Sequence, residues 1–456
     1  MIKVWLKSSL RKVVALAESI ISKPFRMALL QGLPFWVASL IVGLVAVAYA
    51  SLFNYTEHLL QMIFHWNRWS LFFLAPLSFV LAWWVVQRFA PNARGSGIPQ
   101  VMASIELASS KRDDLVNKLL SLRILTTKVV SSLLMVLGGG AIGREGPTIQ
   151  IAASIFRIVN DAIPGTWPRL SRQSYILTGA AAGLAAAFNT PLGGMVFAME
   201  ELARIHIRFF RTALFSAVII AGLTAQGLLG PYLYLGYPHV DNLRFSIFFF
   251  VTATAIVAGF GGSMMSKLIL LIMKWRRRLT KTSSNLLFLI ATGLVIATVT
   301  FFINEDILGS GKDVMERRLF SNDKNTSWHT VLGRILGPAL SFSTGAAGGI
   351  FAPSLAAGAT TGAFIADLFN IVGSNANILI LAGMVGFLTG ITRTPFTSAI
   401  LVLEMTDRHS VIFHLMLAAM VAQLASVLVD KHSLYDHLKK QYIDDTETSG
   451  LEKSSS

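Results

Sequence analysis

The chain has 456 residues, of which 54% are hydrophobic and 14% are charged, and its mean hydropathy is +0.61. A soluble domain carries about a quarter charged residues, whereas apolar runs of the roughly 20 residues needed to cross a bilayer recur here, so the composition excludes a soluble globular protein. The formal net charge of +15 fits basic loops that face the cytoplasm and anionic lipid, and the sequence offers no basic soluble domain to bind nucleic acid. The absence of cysteine excludes disulfides and thiolate chemistry.

In chain order, residues 1–30 are basic and are predicted to form a helix on the cytoplasmic membrane surface. Apolar stretches follow at residues 33–53, 71–86, 119–137, 175–201, 214–229, 245–273, 286–303, 331–342, 347–371, 378–391, 395–406 and 411–429. Several of them are too short to cross a bilayer and are interrupted by glycine or proline, which is typical of the broken helices of transporters. Residues 274–278 are strongly basic, so we place them and both termini in the cytoplasm.

The run Gly143-Arg144-Glu145-Gly146-Pro147 places a carboxylate at a predicted helix start in this apolar chain. Pro147 suits the first helical position, where its missing N–H costs nothing. The unpaired N–H groups and the dipole of such a helix start attract an anion, so Glu145 would lie where an anion would bind. The runs Gly95-Ser96-Gly97-Ile98-Pro99 and Gly349-Ile350-Phe351-Ala352-Pro353 share the same Gly-x-x-x-Pro form.

Two halves of the chain repeat a set of residues at nearly one spacing. Pro147 and Pro353 are 206 residues apart (353 − 147). The pairs that repeat at 204 residues are Gly179 and Gly383, Pro191 and Pro395, and Glu200 and Glu404. We interpret the chain as an all-α polytopic membrane protein with one repeat at 31–235, a second at 236–440 and a short polar tail at 441–456. Such repeats are often inverted, with the substrate site at their interface.

The three Gly-x-x-x-Pro runs, with Tyr435 behind them, resemble the CLC family of chloride channels and chloride/proton antiporters, in its prokaryotic type without C-terminal regulatory domains. The resemblance implies a homodimer with one anion pathway per subunit and about 18 helices in two inverted halves. It also implies that chloride is bound by the hydroxyls of Ser96 and Tyr435 and by the backbone N–H groups of Ile350 and Phe351. The residues that support the motifs are Gly95, Gly97, Pro99, Gly143, Arg144, Gly146, Pro147, Gly349 and Pro353.

The resemblance further implies that Glu145 is the gate and that Glu201 is the inner glutamate through which antiporters of the family pass protons. Electrostatics favours the same role for Glu145, because the ionised side chain competes with chloride and the protonated one loses that attraction and can swing aside. A carboxylate inside the membrane is functional by default, since its burial is expensive. For Glu201 the alternative is a surface ion pair with Arg204.

Other polar residues have more modest interpretations. Glu200 and Glu404 recur in both halves, which indicates a structural role such as accepting hydrogen bonds from loop N–H groups. Lys128 is predicted to be the structural partner of a buried carboxylate rather than a chloride ligand. Met102 stands where some relatives carry a carboxylate near the proton route, so the partner of Lys128 stays open. Ser96 favours chloride, because relatives with proline at this position prefer nitrate.

The leading hypothesis is a secondary-active chloride/proton antiporter in the bacterial cell membrane. The alternative is a passive voltage- or pH-gated chloride channel on the same scaffold, and a third reading is a membrane receptor or scaffold whose interior carboxylates are structural. The sequence has no metal-ligand cluster and no catalytic triad, so neither an enzyme nor a cofactor is predicted. The expected partners are chloride, protons, the lipid bilayer and a second copy of the chain, and not nucleic acid.

Overall fold

The computed structural model describes residues 23–109, 113–202, 210–230, 233–240, 245–321 and 324–454. Residues 1–22 of the predicted basic helix lie outside these ranges, as does Arg204. The described helices are, in chain order, α1 (Lys23–Trp66), α2 (Leu71–Phe89), α3 (Ile98–Ser109), α4 (Asp113–Leu119), α5 (Leu122–Leu137), α6 (Glu145–Ala162), α7 (Arg172–Phe188), α8 (Pro191–Phe197), α9 (Arg211–Leu229), α10 (Ile247–Arg276), α11 (Thr282–Phe302), α12 (Lys312–Phe320), α13 (Trp328–Ser343), α14 (Phe351–Leu368), α15 (Ser374–Thr392), α16 (Pro395–Thr406), α17 (Ile412–Val427) and α18 (Leu434–Ser454).

Within the described chain, eight segments are long and apolar enough to cross a bilayer. They are Leu29–Trp66, Arg68–Phe89, Leu115–Leu137, Arg211–Leu229, Ile247–Arg276, Thr282–Phe302, Ser374–Thr392 and His409–Val427. Large apolar side chains on these segments remain outside the core, such as Leu223 at 60% and Leu287 at 69% exposure. Exposed apolar surface on this scale indicates helices that face lipid. The prediction of an all-α polytopic membrane protein is confirmed.

The apolar stretch at 175–201 is divided into separate helical pieces. Helix α7 ends at Phe188, Asn189 adopts a left-handed conformation with φ of 56°, and α8 begins at Pro191. Proline has no N–H to continue a helix and readily starts a new one. The second half breaks in the same way, because α15 ends at Thr392 and Arg393 has φ of 62° before α16 begins.

Two helices extend beyond the apolar runs that predicted them. Helix α1 continues past residue 53 to Trp66, and in its last turns Gln61 donates a hydrogen bond to Asp313 at 2.9 Å. Helix α18 runs through the predicted polar tail, where Tyr442 is buried and its hydroxyl donates to the Arg94 carbonyl oxygen at 2.9 Å. Polar residues continue both helices because they contact other parts of the protein rather than lipid.

The loops before α6 and α14 pair with each other. Gly143 and Gly349, the first residues of two Gly-x-x-x-Pro runs, each donate their N–H to the other's carbonyl oxygen, at 2.8 and 2.7 Å. Their spacing equals that of Pro147 and Pro353, so equivalent residues of the two halves meet. This reciprocal contact places the starts of α6 and α14 against each other in the interior.

A second reciprocal contact joins the two glutamates that recur in the halves. Glu200 accepts hydrogen bonds from the backbone N–H groups of Phe396 and Thr397 at the start of α16, at 3.1 and 2.6 Å. Glu404 accepts from the equivalent residues 192 and 193 at the start of α8, at 3.1 and 2.8 Å. These contacts agree with the structural role predicted for the two glutamates, which satisfy helix-start N–H groups that lack an intrahelical acceptor.

The reciprocity of these contacts identifies the symmetry between the halves. Where a residue of the first half contacts a residue of the second half, the equivalents of these two residues make the same contact in the opposite direction. Only an operation that is its own inverse, a two-fold rotation, produces such pairs. A two-fold relation of this kind is what inverted repeats require.

Candidate anion-binding site

The loops before α3, α6 and α14 lie side by side. Gly95 donates its N–H to the Ala346 carbonyl oxygen at 2.8 Å, and Gly348 donates its N–H to the Gly95 carbonyl oxygen at 3.1 Å. The next residue along the chain, Gly349, pairs with Gly143. The first N–H groups of a helix have no intrahelical acceptor and carry positive potential, so three adjacent helix starts favour a bound anion.

The prolines of two motifs occupy the same position in their helices. Pro147 is the third residue of α6, and Pro353 is the third residue of α14. The predicted first position for Pro147 is therefore two residues off, because α6 begins at Glu145. The missing N–H still falls in the first turn, where no intrahelical acceptor is available. Pro99 lies in the same region of α3, as its second residue.

The motif glycines are required by close approaches between the loops. A Cβ atom added to Gly146 would overlap the Ser96 hydroxyl, and one added to Gly143 would overlap the Glu145 carboxylate. Gly97 has φ of +115°, and a Cβ there would lie 2.7 Å from the Gly146 carbonyl oxygen. These glycines therefore set how closely the predicted gate and the predicted chloride ligand approach the neighbouring backbone.

The Glu145 side chain lies inside the protein, with 1% of its surface exposed. The Tyr234 hydroxyl donates to Glu145 Oε1 at 3.4 Å, and the backbone N–H groups of Glu145 and Ala352 lie near the carboxylate. Among the described residues, Oε2 has no hydrogen-bond partner. The carboxylate is thus placed between the starts of α6 and α14. Sequence reasoning missed Tyr234, because it lies in a connector that carries no motif.

Arg144, the residue before Glu145, is bonded to α1. Its guanidinium donates from one nitrogen to the Ala50 carbonyl oxygen at 2.9 Å and to the Asn54 side chain at 3.2 Å, both on α1. The side chain is buried, so these bonds satisfy donors that water cannot reach. Arg144 therefore anchors the loop of the predicted gate to α1.

The predicted chloride ligands lie in the interior, and several of them are close to one another. Ser96, Ile350, Phe351 and Tyr435 are all buried. The Ser96 and Tyr435 hydroxyls lie close enough to interact, and neither oxygen has a well-formed hydrogen bond within the described ranges. The rings of Phe351 and Tyr435 are nearly parallel, with centroids 6.3 Å apart and planes at 6°. Two buried hydroxyls without good partners are suited to donating to an anion.

Glu201 lies in a π-helical turn, Ala198–Leu202, directly after α8. It is partly buried and close enough to Tyr435 to interact with it electrostatically, as Glu145 also does. The two predicted proton carriers therefore approach the same tyrosine. The alternative ion pair of Glu201 with Arg204 involves a residue outside the described ranges.

Lys128 has a different partner from the predicted one. Its side chain is fully buried in α5, and Nζ donates to the Gly95 carbonyl oxygen at 3.0 Å. The prediction of a buried carboxylate as partner is wrong. Gly95 has φ of +65° in a tight loop, and the carbonyl oxygen of this loop accepts the hydrogen bond from the ammonium group instead. Lys128 is therefore bonded to the backbone of the residue that precedes Ser96.

A basic cavity of about 230 Å³ reaches the Ser96 loop from one side of the protein. Its walls include Gln87 near the end of α2, together with Arg94, Arg276 and Arg277. Gly95, Ser96 and Pro99 also line this cavity. Small anions can therefore approach the predicted site past arginine side chains.

A second cavity, of about 320 Å³, lies towards the Glu145 side. It is lined by Phe64 near the end of α1, so it approaches α2 from the opposite end, and it also contains Glu57 and Lys312. The Lys312 ammonium lies 5.1 Å from the centroid of the Tyr234 ring, and Glu57 is close enough to Glu145 to interact with it electrostatically. The site is thus approached from both ends of α2.

Among the described residues, no group of histidine, aspartate and glutamate side chains could hold a metal ion.

Comparison with known proteins gives consistent matches. The family model described as "Voltage gated chloride channel" matches residues 78–427. The H(+)/Cl(-) exchange transporter ClcA of Klebsiella pneumoniae is 29% identical over 416 residues, which cover 88% of this chain and 86% of that protein. The protein of the same name from Salmonella arizonae is 28% identical over 420 residues, with the same two coverages of 88% and 86%.

Solved structures share the fold. A slow cyanobacterial Cl-/H+ antiporter superposes with a TM-score of 0.77 at 24% identity, covering 91% of this chain and 98% of that one. A CLC-type fluoride/proton antiporter gives a TM-score of 0.75 at 20% identity, with the same coverages of 91% and 98%. Proteins of this family are transporters or channels and not enzymes. Because the family model spans most of its length, this chain belongs to the CLC family of voltage gated chloride channel proteins.

Proposed function

We propose that this protein is a secondary-active antiporter that moves chloride across the membrane in exchange for protons. The observation that carries the proposal is the buried Glu145 carboxylate between the starts of α6 and α14. A carboxylate in this position occupies the place that the helix starts make favourable for an anion. The ClcA relatives are named as H(+)/Cl(-) exchangers, and they align over 88% of the chain.

Chloride would be bound without a full positive charge in contact. Transfer of a bare ion into the interior costs many kcal/mol unless polar groups compensate. Here the compensation comes from the N–H groups of Ile350 and Phe351 and from the hydroxyls of Ser96 and Tyr435. Binding through partial charges is weak enough to release the ion, which turnover requires. Lys128 contributes only from behind the Gly95 carbonyl.

Proton coupling would arise because Glu145 and chloride compete for the same positive potential. Ionised Glu145 closes the pathway, and protonation removes its attraction to the helix starts, so the side chain swings aside and chloride takes its place. Each cycle then links a proton taken up by Glu145 to anion movement. Glu201 is the inner proton acceptor in this scheme, and its proximity to Tyr435 supports a route from Glu145 past that ring.

The membrane setting follows from charge and relatives. The matched exchangers come from bacteria, which supports the bacterial cell membrane as the location. Residues 274–278 lie beside the basic cavity, so the positive-inside rule supports a cytoplasmic position for that cavity and for both termini. The family resemblance supports a homodimer with one pathway in each subunit.

The test uses purified protein reconstituted in liposomes, with chloride and pH electrodes. An imposed chloride gradient should drive protons uphill in the wild type. Glu145→Gln should abolish proton movement while chloride still flows, because the amide carries no titrating proton. Glu201→Gln should also lose proton movement. Glu106→Gln is the matched control, since Glu106 is an exposed glutamate paired with Lys439 at 3.0 Å, and it should keep full coupling.

Chloride flux without proton movement in the wild type would show that the antiport proposal is wrong. In that case the alternative, a passive voltage- or pH-gated chloride channel, gains support, and the description of the family model includes channels. Electrical recording would then show unitary current steps and a reversal potential that does not depend on pH. The absence of any chloride flux in the wild type would reject both readings.

A further inference from the structure

The basic cavity contains more positive charge than its neighbours neutralise. Arg276 donates to the Ser343 carbonyl oxygen at 3.1 Å, and its guanidinium carbon lies 5.6 Å from the centroid of the Phe288 ring. The Nε atoms of Arg276 and Arg94 are buried and have no hydrogen-bond partner among the described residues. Two guanidinium groups are therefore held at the cavity wall with donors to spare.

The backbone is shaped to admit Arg276. Gly345 has φ of +74°, and a Cβ atom added to it would overlap the Arg276 guanidinium. Glycine adopts this backbone conformation readily and has no side chain, so the loop before α14 leaves room for the Arg276 guanidinium. The same loop continues into the Gly349 run of the predicted chloride site, so Arg276 and that site are held by one segment of chain.

An acidic side chain of α18 meets these arginines. Asp445 forms an ion pair with Arg94 and lies 3.4 Å from the Arg277 guanidinium. The Asp445 side chain is 40% exposed, so the pair is well hydrated and opens easily. One turn earlier, the Tyr442 hydroxyl donates to the Arg94 carbonyl oxygen, and burial raises the pKa of Tyr442, which keeps this donor neutral. The hydrogen bond holds α18 in place whether or not the ion pair is formed.

We propose that Arg94, Arg276 and Arg277 form an anion-loading site at this mouth, which binds the transported small anion before it reaches Ser96. Asp445 is a tethered competitor that lowers the occupancy of the loading site. This inference rests on the proposed function for the identity of the anion. The arrangement parallels the one at Glu145, because in both places a carboxylate of the chain stands where a free anion would be attracted.

Electrostatics predicts opposite effects for the two kinds of charge. Removal of one positive charge about 6–10 Å from a hydrated anion weakens its binding by about two- to threefold at low ionic strength. Removal of the Asp445 charge strengthens binding by a similar factor of about two to three. Both effects shrink in concentrated salt, since the screening length falls to about 3 Å at 1 M.

The experiment compares the chloride dependence of exchange in liposomes for charge-matched variants. Arg276→Gln should raise the apparent KM for chloride at low ionic strength by about two- to threefold. Arg278→Gln is its control, because it removes the same charge two residues away, from an exposed residue that does not line the cavity. Asp445→Asn should lower the apparent KM, and Asp444→Asn, the same change one residue earlier on α18, should leave it unchanged.

The proposal is overturned if Asp445→Asn raises the apparent KM, or if Arg278→Gln has the same effect as Arg276→Gln. A damaged fold cannot produce the opposite signs, because damage does not tighten chloride binding. Calorimetric titration of the purified full chain with bromide gives a second readout that needs no transport. If the wild type shows no chloride flux, the proposed function is wrong. If bromide affinity is unchanged in Arg276→Gln and Asp445→Asn, the loading site itself is rejected.

Discussion

The exchange of contacts between Glu200 and Glu404 predicts a matched loss of stability when either carboxylate is replaced by glutamine. Each carboxylate accepts two backbone N–H bonds, and Glu200 also accepts from the Thr397 hydroxyl at 2.7 Å. A hydrogen bond to a charged group contributes about 1.5–3 kcal/mol. Glutamine keeps one carbonyl oxygen but turns its NH₂ group towards a backbone N–H, so each variant loses at least one such bond. We therefore expect a loss of about 2–3 kcal/mol, slightly larger for Glu200→Gln.

The assay is thermal unfolding of the purified protein in detergent. With about 2.1 cal/mol/K of unfolding entropy per residue, 456 residues give roughly 1 kcal/mol/K, so the Tm should fall by about 2–3 °C in each variant. Glu316→Gln is the control, because among the described residues this partly exposed glutamate forms only an i,i+4 ion pair with Lys312 at 3.3 Å, and it should shift the Tm by less than about 1 °C. A Glu200→Gln variant as stable as the control would refute the clamp. A loss of stability in only one of the two variants would refute the two-fold equivalence.

Two substitutions close to Ser96 test the packing of the site. Gly146→Ala is expected to abolish chloride flux, because its methyl group would overlap the Ser96 hydroxyl, whereas Gly227→Ala, where an added Cβ meets nothing within 4 Å, should keep the wild-type flux. Lys128→Met is expected to leave the Tm unchanged or higher, since replacing a buried charge by an apolar side chain is often neutral or stabilising, while chloride affinity falls because the positive potential behind Gly95 is lost. A drop in Tm of more than about 3 °C in Lys128→Met, with chloride affinity unchanged, would instead assign the lysine a purely structural role.

The sequence predicts the candidate site well where local chemistry determines the structure. A glycine-rich turn followed by proline indicates where a helix begins, and each of the three such runs does contain a helix start. The burial of Glu145 follows from its position in the chain, because the apolar residues on both sides of it are buried in the interior. The roles of Glu200 and Glu404 could also be predicted, since the same acid at the same offset in two halves implies the same local partner.

The sequence does not predict contacts that join distant parts of the chain. Lys128 binds a carbonyl oxygen 33 residues away, and no side-chain pattern indicates where a carbonyl oxygen will point. Tyr234 reaches Glu145 from a connector whose composition is unremarkable for a loop. The continuation of α18 to Tyr442 was hidden because its residues are polar, and their partner, Arg94, lies 348 residues earlier. In each case the partner is set by packing rather than by local propensity.

The breaks at Asn189 and Arg393 show why such a repeat is only half visible in sequence. Both residues end a helix in the left-handed conformation, at φ of 56° and 62°, and they are equivalent in the two halves. Asparagine tolerates this conformation, whereas arginine does so at a cost of about 1–2 kcal/mol. Arg393 recovers that cost through its guanidinium, which donates to the carbonyl oxygens of Ser426 at 3.2 Å and Asp430 at 3.0 Å. The conformation is thus imposed by the two-fold symmetry of the fold, and each half adopts it with a different residue. The backbone conformation therefore repeats at a position where the sequence does not.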